Sequence, residues 1–203
     1  EDSDPWENVQ VQSNGKIISD EQSVIHAREE IIGEIETIFE AESLNKENLC
    51  AFEERGKELL LDFADYLNIY TNKFYDVTFR NQARKMILDL FTDTMSTETS
   101  LLGLLDENKY SLNDFLEEIG KMDYDLIQLN VGDVRISDSL KLSDNETYSG
   151  EIVFSEEILG ITPPDTALIH VGMKKVEINV SRSTKIFGND SLLVWEVHLG
   201  QIQ

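Results

Sequence analysis

The last third of the chain, residues 147–200, alternates between apolar and polar side chains in three successive stretches. The alternation runs through Tyr148–Ser155, Val176–Ser181 and Leu193–Leu199. A repeat of two residues is typical of a β-strand that buries one face and leaves the other face wetter. Because strands of this kind need neighbours, the pattern predicts an antiparallel sheet with one face packed against the rest of the chain.

The residues before this sheet follow a helical repeat. Apolar side chains recur three and four residues apart, which is typical of helices that bury one stripe. Asp76 and Ser111 stand where N-caps are expected, and the break at residues 43–45 supplies another cap. The predicted helices span residues 21–42, 46–70, 76–91 and 111–119.

Two changes of phase in the alternation predict that the sheet bends. The first lies at Gly132, within a stretch from Asp125 to Ser137, and the second lies at Lys174 and Lys175. A change of phase indicates a β-bulge, which kinks a strand and increases its twist. We therefore expect a strongly curved sheet, and the fold class is predicted to be α+β, with N-terminal helices packed on the C-terminal sheet in a cone-like arrangement.

The charge balance excludes several classes of partner. The 203 residues include 40 Asp and Glu against 17 Lys and Arg, a formal net charge of -23. Such an acidic chain repels phosphate backbones and anionic lipid surfaces. No apolar run approaches the roughly 18 residues that a membrane span requires. We predict no nucleic-acid partner and no membrane insertion.

The polar opening of the chain predicts a tail that precedes a single domain. Residues 1–20 are expected to form a polar tail or tether, and residues 21–203 a single α+β domain. Within that domain, residues 21–42 would be an additional helix and residues 46–203 the cone-like core. The chain begins at Glu1 without an initiator Met, which favours removal of a leader and a periplasmic, secreted or lipid-anchored location.

The order of these elements resembles the nuclear-transport-factor-2-like superfamily, in which helices pack into the concave face of a curved sheet. A cystatin-like helix-on-sheet fold is the neighbouring alternative. The superfamily includes isomerases, dehydratases, transport adaptors and domains that only bind or assemble, so the resemblance implies no single function. The stretches that carry it are Phe63–Tyr66, Arg84–Phe91, Ser111–Leu116 and Val194–Gly200.

A catalytic cone needs an ionisable group among its apolar lining. The stripes predicted to face the interior contain none: they are Ile152, Phe154, Val176, Ile178, Val180, Leu193, Trp195, Val197 and Leu199. Tyrosine hydroxyls and large aromatic rings are the remaining groups that could line a ligand pocket. The candidate ligand-binding residues are Tyr66, Tyr70, Tyr148, Phe154 and Trp195.

These observations favour a non-enzymatic binding or assembly domain whose partner is a protein or a small apolar ligand. Association of two copies through the exposed sheet face is a further alternative. An isomerase or dehydratase of the cone superfamily, using a tyrosine, His170 or His198, is the competing hypothesis. The three histidines show no ligand spacing and there is a single cysteine, so we predict neither a metal site nor a cofactor.

Overall fold

The computed structural model describes residues 43–92, 98–99, 110–143, 146–187 and 190–203. The predicted tail and the predicted helix over residues 21–42 lie outside the described residues. The compact unit considered below spans Asn45–Gln203. Its elements are α1 (Lys46–Thr71), α2 (Val77–Asp89), β1 (Glu98–Thr99), β2 (Tyr110–Ser111), α3 (Leu112–Lys121), β3 (Leu126–Leu142), β4 (Tyr148–Thr162), β5 (Asp165–Phe187) and β6 (Asp190–Ile202).

The three helices begin where the sequence places their caps. The side chain of Asn45 accepts a hydrogen bond from the backbone N–H of Asn48, and the side chain of Asp76 accepts one from Thr78. The hydroxyl of Ser111 accepts from the backbone N–H of Asp114. Each cap satisfies a backbone donor that the first turn of a helix leaves without a partner.

The strands form one sheet in the order β2-β1-β6-β5-β4-β3. Strands β3 to β6 are long, consecutive and antiparallel, whereas β1 pairs with β6 in parallel. The peptide bond between Pro163 and Pro164 is cis, in the turn that joins β4 to β5. The predicted architecture is confirmed: the structure is α+β, with helices preceding a curved sheet of four long antiparallel strands.

Helix α1 packs on one side of the sheet, which we call the inward face. A Cβ atom at Gly56 would lie 3.0 Å from Cγ2 of Ile178, so the absence of a side chain lets the helix approach β5 closely. Nearer its C-terminal end, Asn68 binds Leu129 of β3 twice: its side chain accepts from the backbone N–H at 2.7 Å and donates to the carbonyl oxygen at 3.0 Å. These contacts fix the helix across the sheet.

The inward face forms the centre of the core. Its fully buried side chains include Ile152, Phe154 and Ile158 of β4. From the helices, Phe63 and Phe115 are equally buried, and the ring of Phe63 meets that of Phe91 edge to face at 5.6 Å. No helix in the described part of the chain is both long enough and apolar enough to cross a membrane.

One of the two predicted bulges is correct. The pairing of β3 with β4 shifts between Gly132 and Arg135, and Asp133 has a φ of 49°. The second prediction, at Lys174 and Lys175, is wrong, because β4 and β5 pair in unbroken register from Tyr148–Val180 to Ile158–His170. The pairing of β4 with β5 instead shifts after Ile158, and the pairing of β5 with β6 shifts between Val176 and Ile178, where the extra residue lies on β6.

The physical reason for this error is a change of polarity between the two faces of β5. Val176, Ile178 and Val180 face inward and are fully buried, whereas Val171 and Met173 are on the opposite side of the sheet and are 60% and 53% exposed. The apolar residues therefore change face along the strand while the backbone keeps its phase. In a sequence, this change of face produces the same pattern as a bulge.

Candidate functional site

Two of the predicted pocket tyrosines lie on α1 and contribute to packing. The hydroxyl of Tyr70 donates a hydrogen bond to the carbonyl oxygen of Leu116 at 2.9 Å, which ties α1 to α3. Its ring is buried, while Tyr66 is half-buried. A buried hydroxyl that is already bonded to a carbonyl supports the helix packing, and a ligand would have to compete for it.

The structure brings two of the other candidates together. The rings of Tyr148 and Trp195 meet edge to face at 5.6 Å, and the guanidinium of Arg182 lies 4.8 Å from the centre of the Trp195 ring. Phe154 is fully buried elsewhere on the inward face. The five predicted residues therefore do not form a single pocket.

Trp195 lines an open cleft of about 370 Å³ between α1, the end of α2 and β6. Its apolar lining includes Phe52, Leu59 and Leu90, and its polar lining is Arg55, Asp89, Glu196 and His198. Arg55 pairs with Glu58 at 2.7 Å, and Glu196 pairs with Lys185 at 2.5 Å, so these charges already have partners within the chain. Burial raises the pKa of Glu196, but its bonds from Lys185 and Ser183 outweigh that effect and hold the pKa below its usual value.

The expectation that the inward face carries no ionisable group is wrong. Glu156 of β4 follows Phe154 and precedes Ile158 in the alternation that faces inward, and only 1% of its surface is exposed. It is flanked along its own strand by two fully buried apolar side chains. An ionisable carboxyl group therefore lies in the core.

The environment of Glu156 disfavours its charged form. Burial raises the pKa of the Glu156 carboxyl to about 7, and the charge of Lys174 offsets part of this effect. Among the described residues, none donates a hydrogen bond to either carboxylate oxygen. Both protonation states are therefore populated near neutral pH. Among the described residues, neither state receives the hydrogen bonds that usually stabilise a buried carboxyl group.

His170 of β5 lies within ion-pair distance of Glu156. Its Nε2 lies 3.3 Å from Oε1 of Glu156, close enough for an ion pair but without the geometry of a hydrogen bond. The histidine side chain is 30% exposed. The Glu156–His170 pair thus joins a carboxyl group sealed in the core to an imidazole that solvent and small molecules can reach.

A glycine makes this pair sterically feasible. Gly172 is directly opposite Glu156 in the pairing of β4 with β5, and a Cβ atom at Gly172 would lie 2.7 Å from Nε2 of His170. The imidazole therefore occupies the space that a side chain at position 172 would need. Lys174, the next inward residue of β5, is directly opposite Phe154.

A pair of this kind can move protons. A histidine accepts or donates a proton near neutral pH, and a carboxyl group with a pKa close to 7 can act over the same range. The accessible imidazole would exchange protons with a bound molecule, while the buried carboxylate would stabilise the imidazolium that forms. Strongly shifted carboxyl pKa values with a named cause are typical of functional sites.

The sequence did contain a signal for Glu156. The alternation Tyr148, Ile152, Phe154 predicts that the next inward positions are 156 and 158, although the predicted stretch extends only to Ser155. His170 was singled out for the enzyme hypothesis, whereas its proximity to Glu156 depends on strand register, which one sequence does not supply. The other histidine of that hypothesis, His198, lies in the Trp195 cleft.

Comparisons with known proteins are sparse. No family model matches the chain, and no curated protein matches its sequence. One solved structure matches over 77% of this chain and 89% of its own, with a TM-score of 0.38 and 10% sequence identity. It is the structure, at 1.50 Å resolution, of a protein from Novosphingobium aromaticivorans that carries the provisional name scytalone dehydratase. The described elements themselves have the order that the sequence predicts, with helices before a curved antiparallel sheet.

Proposed function

We propose that this chain is a small-molecule enzyme of the isomerase or dehydratase type, and that the Glu156–His170 pair transfers a proton to and from the bound molecule. The observation that carries the proposal is the buried carboxyl of Glu156, which has a pKa of about 7 and lies 3.3 Å from a partly exposed imidazole. The prediction of a non-enzymatic domain depended on an inward face without ionisable groups. Glu156 removes that premise.

The buried carboxyl of Glu156 is energetically costly for the fold. A buried carboxyl without hydrogen bonds destabilises the folded state, and replacement by an apolar residue of similar size would relieve that cost. Costly groups of this kind are concentrated at sites where they are used. The apolar neighbours Phe154 and Ile158 keep water from Glu156, which strengthens its electrostatic interaction with His170.

The proposed chemistry starts with removal of a proton from a carbon next to a carbonyl group. The imidazole of His170 accepts this proton, and the electron pair of the broken C–H bond forms a carbon–carbon double bond while the carbonyl oxygen becomes an enolate oxygen. If a second carbon–carbon double bond is conjugated with the enolate, return of the proton to the far carbon of that double bond re-forms the carbonyl group and completes an isomerisation. Transfer of the proton to a hydroxyl group on the next carbon, which leaves as water, completes a dehydration.

The test is proton exchange into D₂O, because it requires only the first step. The probes are hydroxyacetone, pyruvate and cyclohexanone, each of which has C–H bonds next to a carbonyl, and loss of their proton signals is followed by NMR. We expect exchange of at least one probe above the buffer rate. His170→Gln should reduce that exchange to the buffer rate, whereas the matched control His198→Gln should leave it unchanged.

Two results would contradict the proposal. The first is exchange no faster than in buffer for all three probes with the unmodified chain. The second is exchange that persists in His170→Gln and in Glu156→Gln at the unmodified rate, because proton transfer would then occur elsewhere.

A second candidate function is supported by the outer face of the sheet. Leu168, Val171 and Met173 are 62%, 60% and 53% exposed, and the three lie close together along β5. Exposed apolar groups in one stripe are typical of surfaces that bind another protein or a second copy. Light scattering of the unmodified chain and of Met173→Glu tests this alternative: association that depends on concentration and is lost in the variant would support it.

A further inference from the structure

Part of strand β5 is paired on one side only. The strand pairs with β4 from Asp165 to Val180, whereas its pairing with β6 begins at Val176. Next to that position, Lys175 exchanges two backbone hydrogen bonds with Gln203. Among the described residues, none pairs with residues 169–174 on the side away from β4. We call residues 169–174 the open edge.

The backbone groups of Val171 and Met173 point out of the open edge. The N–H and C=O groups of Lys175 both bond to Gln203, so they point away from β4. In an antiparallel strand, these groups point to the same side at every second residue. Because β5 keeps its register with β4 over this stretch, Val171 and Met173 direct their N–H and C=O groups to the same side as Lys175. Unpaired backbone groups in a row are a template for another strand.

The side chains beside these backbone groups are apolar. Leu168, Val171 and Met173 are the exposed row on the outer face described above. Proteins commonly protect a sheet edge with lysine side chains. Lys175 is the next residue of this outer row, but it lies beyond the open edge and its ammonium group pairs with Glu151. The open edge therefore combines unpaired backbone groups with apolar side chains, which favours pairing with another strand.

The local charge permits two open edges to approach each other. The chain carries a formal net charge of -23, which opposes association of two copies over most of their surface. The sequence between Asp165 and Glu177, however, contains neither Asp nor Glu. This part of β5 therefore adds no carboxylate of its own to a contact between two copies.

We infer that two copies of this chain associate through their open edges, as an antiparallel pair of β5 strands with a two-fold axis at Gly172. In this register, Val171 of each copy lies opposite Met173 of the other copy, and each of these pairs exchanges both of its N–H···O bonds. The side chains of Val171 and Met173 then meet across the axis on the outer face. The edge is thus complementary to itself, as a two-fold interface requires.

The neighbouring registers use the free groups less completely. An axis at Val171 would place Met173 opposite Ile169, where the pairing of β5 with β4 is irregular. An axis at Met173 would place Val171 opposite Lys175, whose backbone groups already bond to Gln203. The axis at Gly172 alone among these three pairs both free residues.

The inference deepens the second candidate function, on which it rests, because it names the partner and the way in which it binds. So short an edge buries less surface than the roughly 1,200 Å² of stable complexes, so we expect a dissociation constant between about 10 μM and 1 mM. Sedimentation velocity of the unmodified chain over this range of concentrations should show a rise from the monomer mass toward the dimer mass.

Two variants with the same change of charge test the location of the contact. Met173→Glu places a carboxylate in the apolar row and should weaken association at least tenfold. Ile186→Glu replaces an exposed apolar residue at the far end of the same strand and should associate like the unmodified chain. Equal association of the two variants would overturn the inference.

A third variant tests for backbone pairing. Proline has no N–H, and the N–H of Met173 points out of the edge, so Met173→Pro removes hydrogen bonds between copies but none within the chain. This variant should also weaken association at least tenfold, while its urea transition shows that the fold is kept. If the proline variant unfolds, Met173→Glu and the contacts between copies still decide the outcome.

Contacts between copies test the register and separate this inference from the function on which it rests. In an equal mixture of ¹³C-labelled and unlabelled chain, isotope-filtered NOEs report only contacts between copies. We expect NOEs between the methyl groups of Val171 and Met173. Association that is lost in Met173→Glu but shows no such NOEs would leave the second candidate function in place and overturn strand pairing. A monomer at every concentration would overturn both, and proton exchange by the Glu156–His170 pair would be unaffected.

Discussion

The two halves of β5 differ on the same face of the same sheet. Val176, Ile178 and Val180 are fully buried beneath the helices and have no polar atom in their side chains. His170 and Lys174 continue the same inward row but are only half-buried, and they surround the carboxyl of Glu156. We call residues 176–180 the packing half, because they stabilise the fold. Residues 168–174 are the site half, because they include residues of the candidate site.

This difference shows that a change of phase in an alternating pattern does not by itself identify a β-bulge, because apolar residues can change face while the backbone keeps its register. In the 176–180 half, the apolar residues face the helices. In the 168–174 half, Val171 and Met173 face outward while His170 and Lys174 face inward. A strand that keeps its register but reverses its polarity conflicts with simple burial, and conflicts of this kind are expected at functional or strained sites.

The largest expected effect concerns the packing half. Ile178→Ala removes a fully buried side chain that contacts Gly56 of α1, and we expect the free energy of unfolding to fall by about 2–5 kcal/mol. Urea denaturation measures this change. Met173→Ala, on the exposed side of the other half, should alter stability by less than about 0.5 kcal/mol. Similar losses for both variants would contradict the assignment of the two faces.

The next largest effect is a pH-dependent change in stability that the carboxyl of Glu156 causes. The folded-state pKa of Glu156 is about 7, against an ordinary value of 4.5. The contribution of this raised pKa to the stability of the folded state is therefore complete below pH 4.5 and is lost as the pH rises through 7. Between pH 4 and pH 8, Glu156→Gln should therefore gain about 3 kcal/mol relative to the unmodified chain. The exposed neighbour variant Glu157→Gln should show no such gain.

An effect of Glu156→Gln on stability that does not change with pH would contradict this prediction. If the stability difference between Glu156→Gln and the unmodified chain is the same at pH 4 and pH 8, then Glu156 titrates normally in the folded state. The site half of β5 would then lack the feature on which the proposed function depends.

The smallest expected effect on stability comes from Gly172→Ala. The new Cβ atom would meet Nε2 of His170 at 2.7 Å, and a histidine ring can rotate away at little cost. We expect a stability loss below about 1 kcal/mol, together with a clear change in the ring signals of His170 in NMR spectra and slower proton exchange. Unchanged ring signals would show that the imidazole does not lie over Gly172.

The helices, their caps and the buried rows of the sheet could be predicted from the sequence, because they follow from periodicity and from neighbouring residues. The caps Asn45, Asp76 and Ser111 and the bulge after Gly132 depend on local geometry, which neighbouring residues determine. For the same reason, the curved sheet and the helices before it could be predicted without knowledge of tertiary contacts.

The site half could be predicted only in part. Continuing the alternation past Phe154 places Glu156 inward, so periodicity alone predicts that its side chain is buried. The 3.3 Å approach of His170 depends on the pairing of Ile158 with His170 and on the bare backbone of Gly172, and both are tertiary features. Among the five pocket candidates, the structure brings Tyr148 to Trp195, which lines the open cleft, and packs Phe154 in the core. A ligand role for any of the five stays a prediction.

The central claim is that the core contains a carboxyl group that titrates near neutral pH. The most direct measurement is a ¹³C NMR titration of the Glu156 side-chain carboxyl in the full chain, with Glu156→Gln used to assign the signal. We expect a midpoint of about pH 7, which should rise further in Lys174→Gln and stay unchanged in Lys175→Gln. A midpoint near the ordinary value of 4.5 would contradict it.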